Sequence, residues 1–167
     1  MGSFRYSSWF DAPVDEVFAF HEHPKALRRL TPPNQRLDVL QQTNGIQEGS
    51  RVVIRAYLGF IPIQWHARHT VYEKDQLFVD EQVRGPFHRW VHRHEFSPES
   101  GGTRLTDSIS YSMKGGDVAE FFAGWFVNWQ LRNMFKWRHK VTKMFCESHR
   151  QSLAAARRSP DQSEAEP

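Results

Sequence analysis

The sequence predicts an α+β fold: a curved antiparallel sheet of about seven strands around one long C-terminal helix, with two short helices after the first strand. Three observations predict it. Strand-like alternation recurs from Leu37 to Met113 between short turn segments. A helical apolar pattern then runs from Asp117 to about Arg150. A helix of that length, at about 1.5 Å per residue, cannot bury its stripe alone, and a sheet curving around it is the economical partner. The 167 residues suit a single domain. It is expected at 1–152, with 153–167 a disordered polar tail.

Residues 3–9 alternate weakly and form the first strand. Asp11 is placed as an N-cap and Pro13 in the first helical turn, where its missing N–H costs little. Val14, Val17, Phe18 and His21 follow at i, i+3, i+4 and i+7. Pro24 stops this helix, Lys25–Leu30 makes a second short one, and Thr31-Pro32-Pro33-Asn34 breaks the chain. Strands are expected at 36–43, 50–58, 63–73, 76–84, 88–97 and 103–113. Their separators are Asn44-Gly45, Gly59 to Pro62, Lys74-Asp75, Gly85-Pro86 and Ser100-Gly101-Gly102. Links this short make antiparallel hairpins. After Gly115-Gly116, Asp117 with Glu120 resembles a capping box. Phe122, Trp125, Phe126 and Trp129 crowd the first turns of the final helix, and Val127, Leu131, Met134, Phe135, Arg138, Val141 and Phe145 form its stripe.

Composition narrows the function classes. Cys146 is the single cysteine, so no intramolecular disulfide forms, which fits a reducing compartment. The N-terminus has no apolar signal core, and no run reaches the roughly 18 apolar residues of a membrane span. A cytoplasmic location is expected. Basic residues cluster late, from Arg132 to Arg158, which reads as a solvated helix face. No zinc-finger spacing, RNP-like motif or helix-turn-helix signature accompanies them, so no nucleic-acid partner is expected.

Alternation assigns faces. In 87–96 the residues Trp90, His92, His94 and Phe96 share one face, and Arg89, Val91, Arg93 and Glu95 the other. The charged set faces water, so the aromatic set turns inward and carries two histidines with it. Leu105, Asp107, Ile109 and Tyr111 share a face of the last strand, and Ile63, Trp65, Ala67, His69 and Val71 share one of 63–73. An aromatic, inward-facing surface with polar groups reads as the lining of a ligand cavity. Segment 76–84 is ambiguous, because Val79 and Val83 compete with Phe78.

Several segments resemble the START-like superfamily, also called SRPBCC or Bet v 1-like, and within it the bacterial stand-alone polyketide cyclase/dehydrase-like subgroup. They are Asp11-Ala12-Pro13-Val14-Asp15-Glu16-Val17-Phe18, Leu30-Thr31-Pro32-Pro33, Phe78 to Phe87, Trp90 to Phe96, and Met134-Phe135-Lys136-Trp137-Arg138-His139. The resemblance covers about residues 3–150 and implies the helix-grip fold and a preference for apolar ligands. It also turns Phe78, Asp80 and Gln82 inward. Related domains occur fused to epimerases, so an epimerase-like protein partner is a further expectation.

The expected ligand lining is therefore Trp65, His69, Asp80, Gln82, Trp90, His92, His94, Asp107, Tyr111, Phe135 and Arg138, with Phe121, Phe122 and Trp125 as a hydrophobic lid. Buried polar groups of this kind must pair, hold water or meet a ligand. Arg138 is expected to fork onto Asp80 or Asp107. Three readings stand open: a structural polar network, a site that orients an apolar ligand, and a catalytic centre. For catalysis His92, His94 and Asp107 are the candidates, since a carboxylate beside an imidazole fixes its tautomer and raises its pKa. His92 and His94 at i and i+2 could offer two imidazoles to zinc, with His69 or an Asp as third ligand. His-x-His alone is a weak motif, so no metal or cofactor is assigned. Cys146 lies away from the lining, and no Gly-x-Ser-x-Gly elbow or phosphate-cradling loop occurs. The expected function is binding of a small hydrophobic or aromatic, lipid- or polyketide-like molecule between sheet and helix. The alternatives are a cyclase/aromatase- or hydrolase-type enzyme and a protein-interaction module.

Overall fold

The computed structural model describes residues 1–158, the side chains of 58, 117, 119, 120, 149 and 151–158 excepted. The elements run β1 (Gly2–Phe10), α1 (Val14–Glu22), α2 (Ala26–Arg29), β2 (Leu37–Gln42), β3 (Arg51–Leu58), β4 (Ile61–Glu73), β5 (Leu77–Arg84), β6 (Phe87–Glu99), β7 (Gly102–Met113) and α3 (Gly116–Arg158). The strands form one antiparallel sheet in the order β1-β7-β6-β5-β4-β3-β2. Successive strands from β2 to β7 are neighbours, as short hairpin links require. Only β1 pairs at long range, from Gly2 opposite Tyr111 to Phe10 opposite Thr103.

Local chemistry sets the turns. Gly59 has φ +62°, and the β3–β4 hairpin turns on Gly59 and Phe60 alone. Pro62, expected in that turn, pairs with Tyr57 inside β4. At Gly102 a Cβ would stand 2.2 Å from the Phe10 carbonyl oxygen, so only glycine lets β1 close against β7 there.

Three helical expectations change. Asp11 does not cap α1: the helix opens at Val14 after an extended Pro13, with Val17 N–H donating to the Pro13 carbonyl. The Asp11 carboxylate instead pairs with Arg150 of α3. The buried line of α3 is Leu131, Phe135, His139, Thr142 and Cys146, rotated from the expected stripe, while Phe145 is exposed. His139 and Thr142 can lie inward because each has a partner, Asp107 and the Arg138 carbonyl. The helix also runs past the expected end near Arg150 to Arg158. Residues 159–167 of the expected tail, and the Asp117 and Glu120 side chains of the expected capping box, lie outside the described residues.

Two apolar clusters fill the interior. One joins α1 to the sheet through Phe10, Val17, Phe18, Phe78, Phe96, Leu105 and Cys146. The other lies under the middle of α3 and holds Phe4, Trp90, Ile109, Tyr111, Leu131 and Phe135. The helix packs on β1, β7 and α1. It leaves the concave faces of β2, β3 and β4 half-covered: Leu37, Val39, Val52, Ile54, Ala56, Ile63 and Trp65 are neither buried nor fully exposed. Register puts these residues on one face, with Val39 opposite Ile54 and Ile54 opposite Trp65. The expected enclosed cavity is thus an open trough, because α3 sits to one side of the sheet. Two surface hollows of about 250 and 390 Å³ lie elsewhere.

Candidate functional site

The two apolar clusters are separated by a polar belt, and three elements contribute to it at matching heights. On β6 it is His92 and His94, between Trp90 and Phe96. On β7 it is Asp107, between Leu105 and Ile109. On α3 it is His139, between Phe135 and Cys146. Strand register completes it, setting His94 opposite Asp107, Asp80 of β5 opposite His92, and His69 of β4 opposite Asp80. The inward faces expected for β5, β6 and β7 are those observed, including the ambiguous β5, where Phe78 is buried and Val83 is 69% exposed. On β4 the expectation holds through His69, after which a register shift sets Val71 opposite Val79 and turns Tyr72, opposite Phe78, to the core in its place.

Asp107 is the hub. His92 Nε2 donates to its Oδ1 at 2.9 Å and His139 Nε2 to its Oδ2 at 2.6 Å. His94 Nδ1 stands 2.6 Å from Oδ1 but off the hydrogen-bonding axis. Asp80 is the second carboxylate. His94 Nε2 lies 3.2 Å and His92 Nδ1 3.3 Å from its Oδ2. The rings are held from outside: Phe78 stacks on His94 with centroids 3.9 Å apart, and Phe135 meets His92 edge-on at 5.3 Å. Tyr6 meets His139 edge-on at 4.7 Å.

The electrostatics follow from this packing. Burial pulls the His92 imidazole down, but the Asp80 charge and hydrogen bonds to Asp107 and Asp80 outweigh it and carry it up to about 9. Burial would raise Asp80 and Asp107. The charges and hydrogen bonds of the facing histidines prevail and hold both carboxyls well below the usual range. For His21 and His69 burial prevails over the Val17 hydrogen bond and the Asp80 charge, which act the other way, and lowers both, His21 to about 4. His21 Nδ1 donates to the Val17 carbonyl at 2.8 Å. Cys146 is buried and its thiol is pushed up to about 12 by burial and by Glu16 and Glu147, which makes it inert as a nucleophile.

Not every expected residue joins the belt. Arg138 makes no ion pair with either Asp among the described residues; its guanidinium lies 5.4 Å over the Phe135 ring, and its Nε has no hydrogen-bond partner. The histidines hold both oxygens of Asp107 and Oδ2 of Asp80 in place of the expected fork. His139, one residue on, is the member that sequence reasoning missed. The signal was present, since Phe135 and His139 are spaced i, i+4 on one helical face. Gln82 is turned to its own hairpin, donating to the Phe87 carbonyl and accepting from the Phe87 N–H. Trp65 and Trp90 pack edge to face at 5.0 Å at the rim of the trough, with Phe87 against both. Tyr111 is buried beneath α3, its hydroxyl 3.4 Å from the Gly124 carbonyl. His69 is buried in the row beside Asp80, with Nδ1 unpaired. Phe121 and Trp125, expected as a lid, are 81% and 69% exposed.

Residues 10–135 match the family model described as polyketide cyclase / dehydrase and lipid transport. The chain belongs to this family. Solved structures agree on the fold. The protein TTHA0849 from Thermus thermophilus superposes with a TM-score of 0.68 at 16% identity, covering 88% of this chain and 98% of that one. The di-domain ARO/CYC StfQ of the steffimycin biosynthetic pathway gives a TM-score of 0.71 at 12% identity, over 89% of this chain and 52% of its own. A nucleoside-diphosphate sugar epimerase from Corynebacterium glutamicum gives 0.63 at 23% identity, over 84% of this chain and 28% of its own. No curated protein matches the sequence. The family member has the expected helix-grip fold of the SRPBCC superfamily, and no described helix is long and apolar enough to cross a membrane.

Proposed function

We propose that the chain binds a small apolar or aromatic molecule in the trough on the concave face of β2–β5, with the His/Asp belt at its inner end. One observation carries the reading. A continuous apolar face from Val39 through Ile54 to Trp65 is left half-exposed, and two inward positions further along β4 His69 stands opposite Asp80, the least covered member of the belt. Apolar surface held open beside a few converging polar groups is the usual form of a small-molecule site. Trp65 supplies a reporter. Titration with fatty acids, flavonoids and polycyclic polyphenols should quench tryptophan emission saturably. Trp65→Phe should remove most of the response, and Ile54→Arg should abolish binding. Failure of every compound class, together with no co-purifying small molecule by native mass spectrometry, would refute the proposal.

A second reading has its own observation. His139, Asp107, His92 and Asp80 form one continuous hydrogen-bonding path from the core to the trough. Such a path can move a proton to or from a bound carbonyl, as cyclase or aromatase chemistry needs. Turnover of a bound compound, lost in His92→Gln with binding kept, would establish it; equal turnover in the variant would dismiss it.

A further inference from the structure

Each of the two β6 imidazoles spans both carboxylates. His92 reaches Asp107 through Nε2 and Asp80 through Nδ1; His94 reaches Asp107 through Nδ1 and Asp80 through Nε2. All four contacts lie between 2.6 and 3.3 Å. Four imidazole nitrogens thus converge on two carboxylates, and of these contacts His92 Nε2 to Asp107 and His94 Nε2 to Asp80 have hydrogen-bond geometry. Charging both rings would set like charges at centroids only 3.7 Å apart.

A tautomer with both imidazole protons on the Asp107 side leaves the other two nitrogens free toward Asp80. His92 Nδ1, His94 Nε2 and Asp80 Oδ2 are then three converging lone-pair donors, and a cation fits among them. One ligand atom from each of Asp80, His92 and His94 lies within 4.8 Å of the others. Asp80 Oδ2 is 3.3 Å from the nearer His92 nitrogen and 3.2 Å from that of His94. Ligands at about 2.0–2.1 Å from a tetrahedral zinc ion stand about 3.3–3.4 Å from one another, so the Asp80-to-His spacings already match. The remaining nitrogen of His92 donates to Asp107, which is how an outer carboxylate fixes a ligand's tautomer in metal sites, and that of His94 stands 2.6 Å from the same carboxylate.

We propose that Asp80, His92 and His94 bind a zinc-type divalent transition-metal ion, with Asp107 as the outer carboxylate that orients both histidines. Phe78 stacked on His94 and Phe135 edge-on to His92 hold the two imidazoles in place. The Asp80 side chain is 20% exposed, against 6% and 9% for His92 and His94, so the ion enters from the trough and its open position faces that way, for water or a ligand oxygen. The site goes beyond the ligand reading, and its test contains no apolar compound.

The test uses untagged full-length chain, stripped with a chelator and titrated with Co²⁺, whose ligand-field absorption reports coordination directly. One Co²⁺ per chain should bind with the spectrum of a low-coordinate site and be displaced by Zn²⁺. His92→Gln and His94→Gln, with folding checked by circular dichroism, should each lose that spectrum. Asp107→Asn should keep the stoichiometry and weaken affinity roughly 10–100-fold. His23→Gln and His88→Gln alter exposed imidazoles and should change neither. Uptake below about a tenth of an equivalent by the folded wild-type chain overturns the site, whatever the variants do. A spectrum that survives in folded His92→Gln and His94→Gln also overturns it, by assigning the ion to surface histidines.

Discussion

Two buried histidines tie the stability of the metal-free chain to pH with opposite signs. His21 moves from an ordinary 6.5 down to about 4 on folding. Between those values the unfolded chain holds the extra proton, so stability rises with pH: the His21 contribution is complete above 6.5 and lost as pH falls through about 4. His92 moves from 6.5 up to about 9. Over that interval the native state holds the proton, so its contribution is complete below 6.5 and lost as pH rises through about 9. At about 1.4 kcal/mol per pKa unit, each arm is worth roughly 3 kcal/mol. The lowered His69 steepens the acid arm, and the depressed Asp80 and Asp107 act only below the unfolded carboxyl value of 3.8. Stability should therefore peak near pH 6.5. Urea unfolding across about pH 5 to 9, with chelator present, measures the dome. His92→Gln should flatten the alkaline arm and leave the acid arm; His21→Leu should do the reverse. A wild-type stability that keeps rising from neutral pH to about 9, or an alkaline slope unchanged in His92→Gln, would refute the linkage.

The other perturbations are local. Asp107→Leu leaves His92 and His139 without their acceptor and should cost about 3–5 kcal/mol, read by thermal unfolding as a drop of roughly 6–20 °C. Arg138→Met should change stability by less than about 1 kcal/mol, because no ion pair is lost and an apolar stem is kept. Gly102→Ala drives a Cβ into the Phe10 carbonyl, and forcing β1 off β7 should cost about 1–3 kcal/mol by urea unfolding. Phe121→Ser with Trp125→Ser removes exposed rings and should leave stability within about 0.5 kcal/mol.

The sheet was legible because its strands alternate cleanly: Trp90, His92, His94 and Phe96, and Leu105, Asp107, Ile109 and Tyr111, turn inward as their spacing requires. The β5 face was not legible from residues alone. Val79 is buried as well as Phe78, so apolar alternation gives no single answer there. The helix misled for a different reason. A pattern built on apolar residues passes over His139 and Thr142, and their inward positions depend on partners from β7 and from the preceding turn. The open trough was hidden too, since the lateral seat of α3 on β1 and β7 is a tertiary choice that no local pattern encodes.

Stability alone does not account for the belt. A buried set of charges replaced by apolar side chains of like volume is often neutral or stabilising by about 1–4 kcal/mol. Four strands and a helix here place complementary ionisable groups at one level, between two clusters that could otherwise merge into one dry core. The combined change His92→Leu, Asp107→Leu and His139→Leu tests whether that level is needed for folding. A variant as stable as wild type that has lost metal and ligand binding would show that the belt serves the site. A variant that unfolds, while single apolar substitutions in either cluster are tolerated, would show that the belt specifies how α3 docks, and the functional readings would lose their main support.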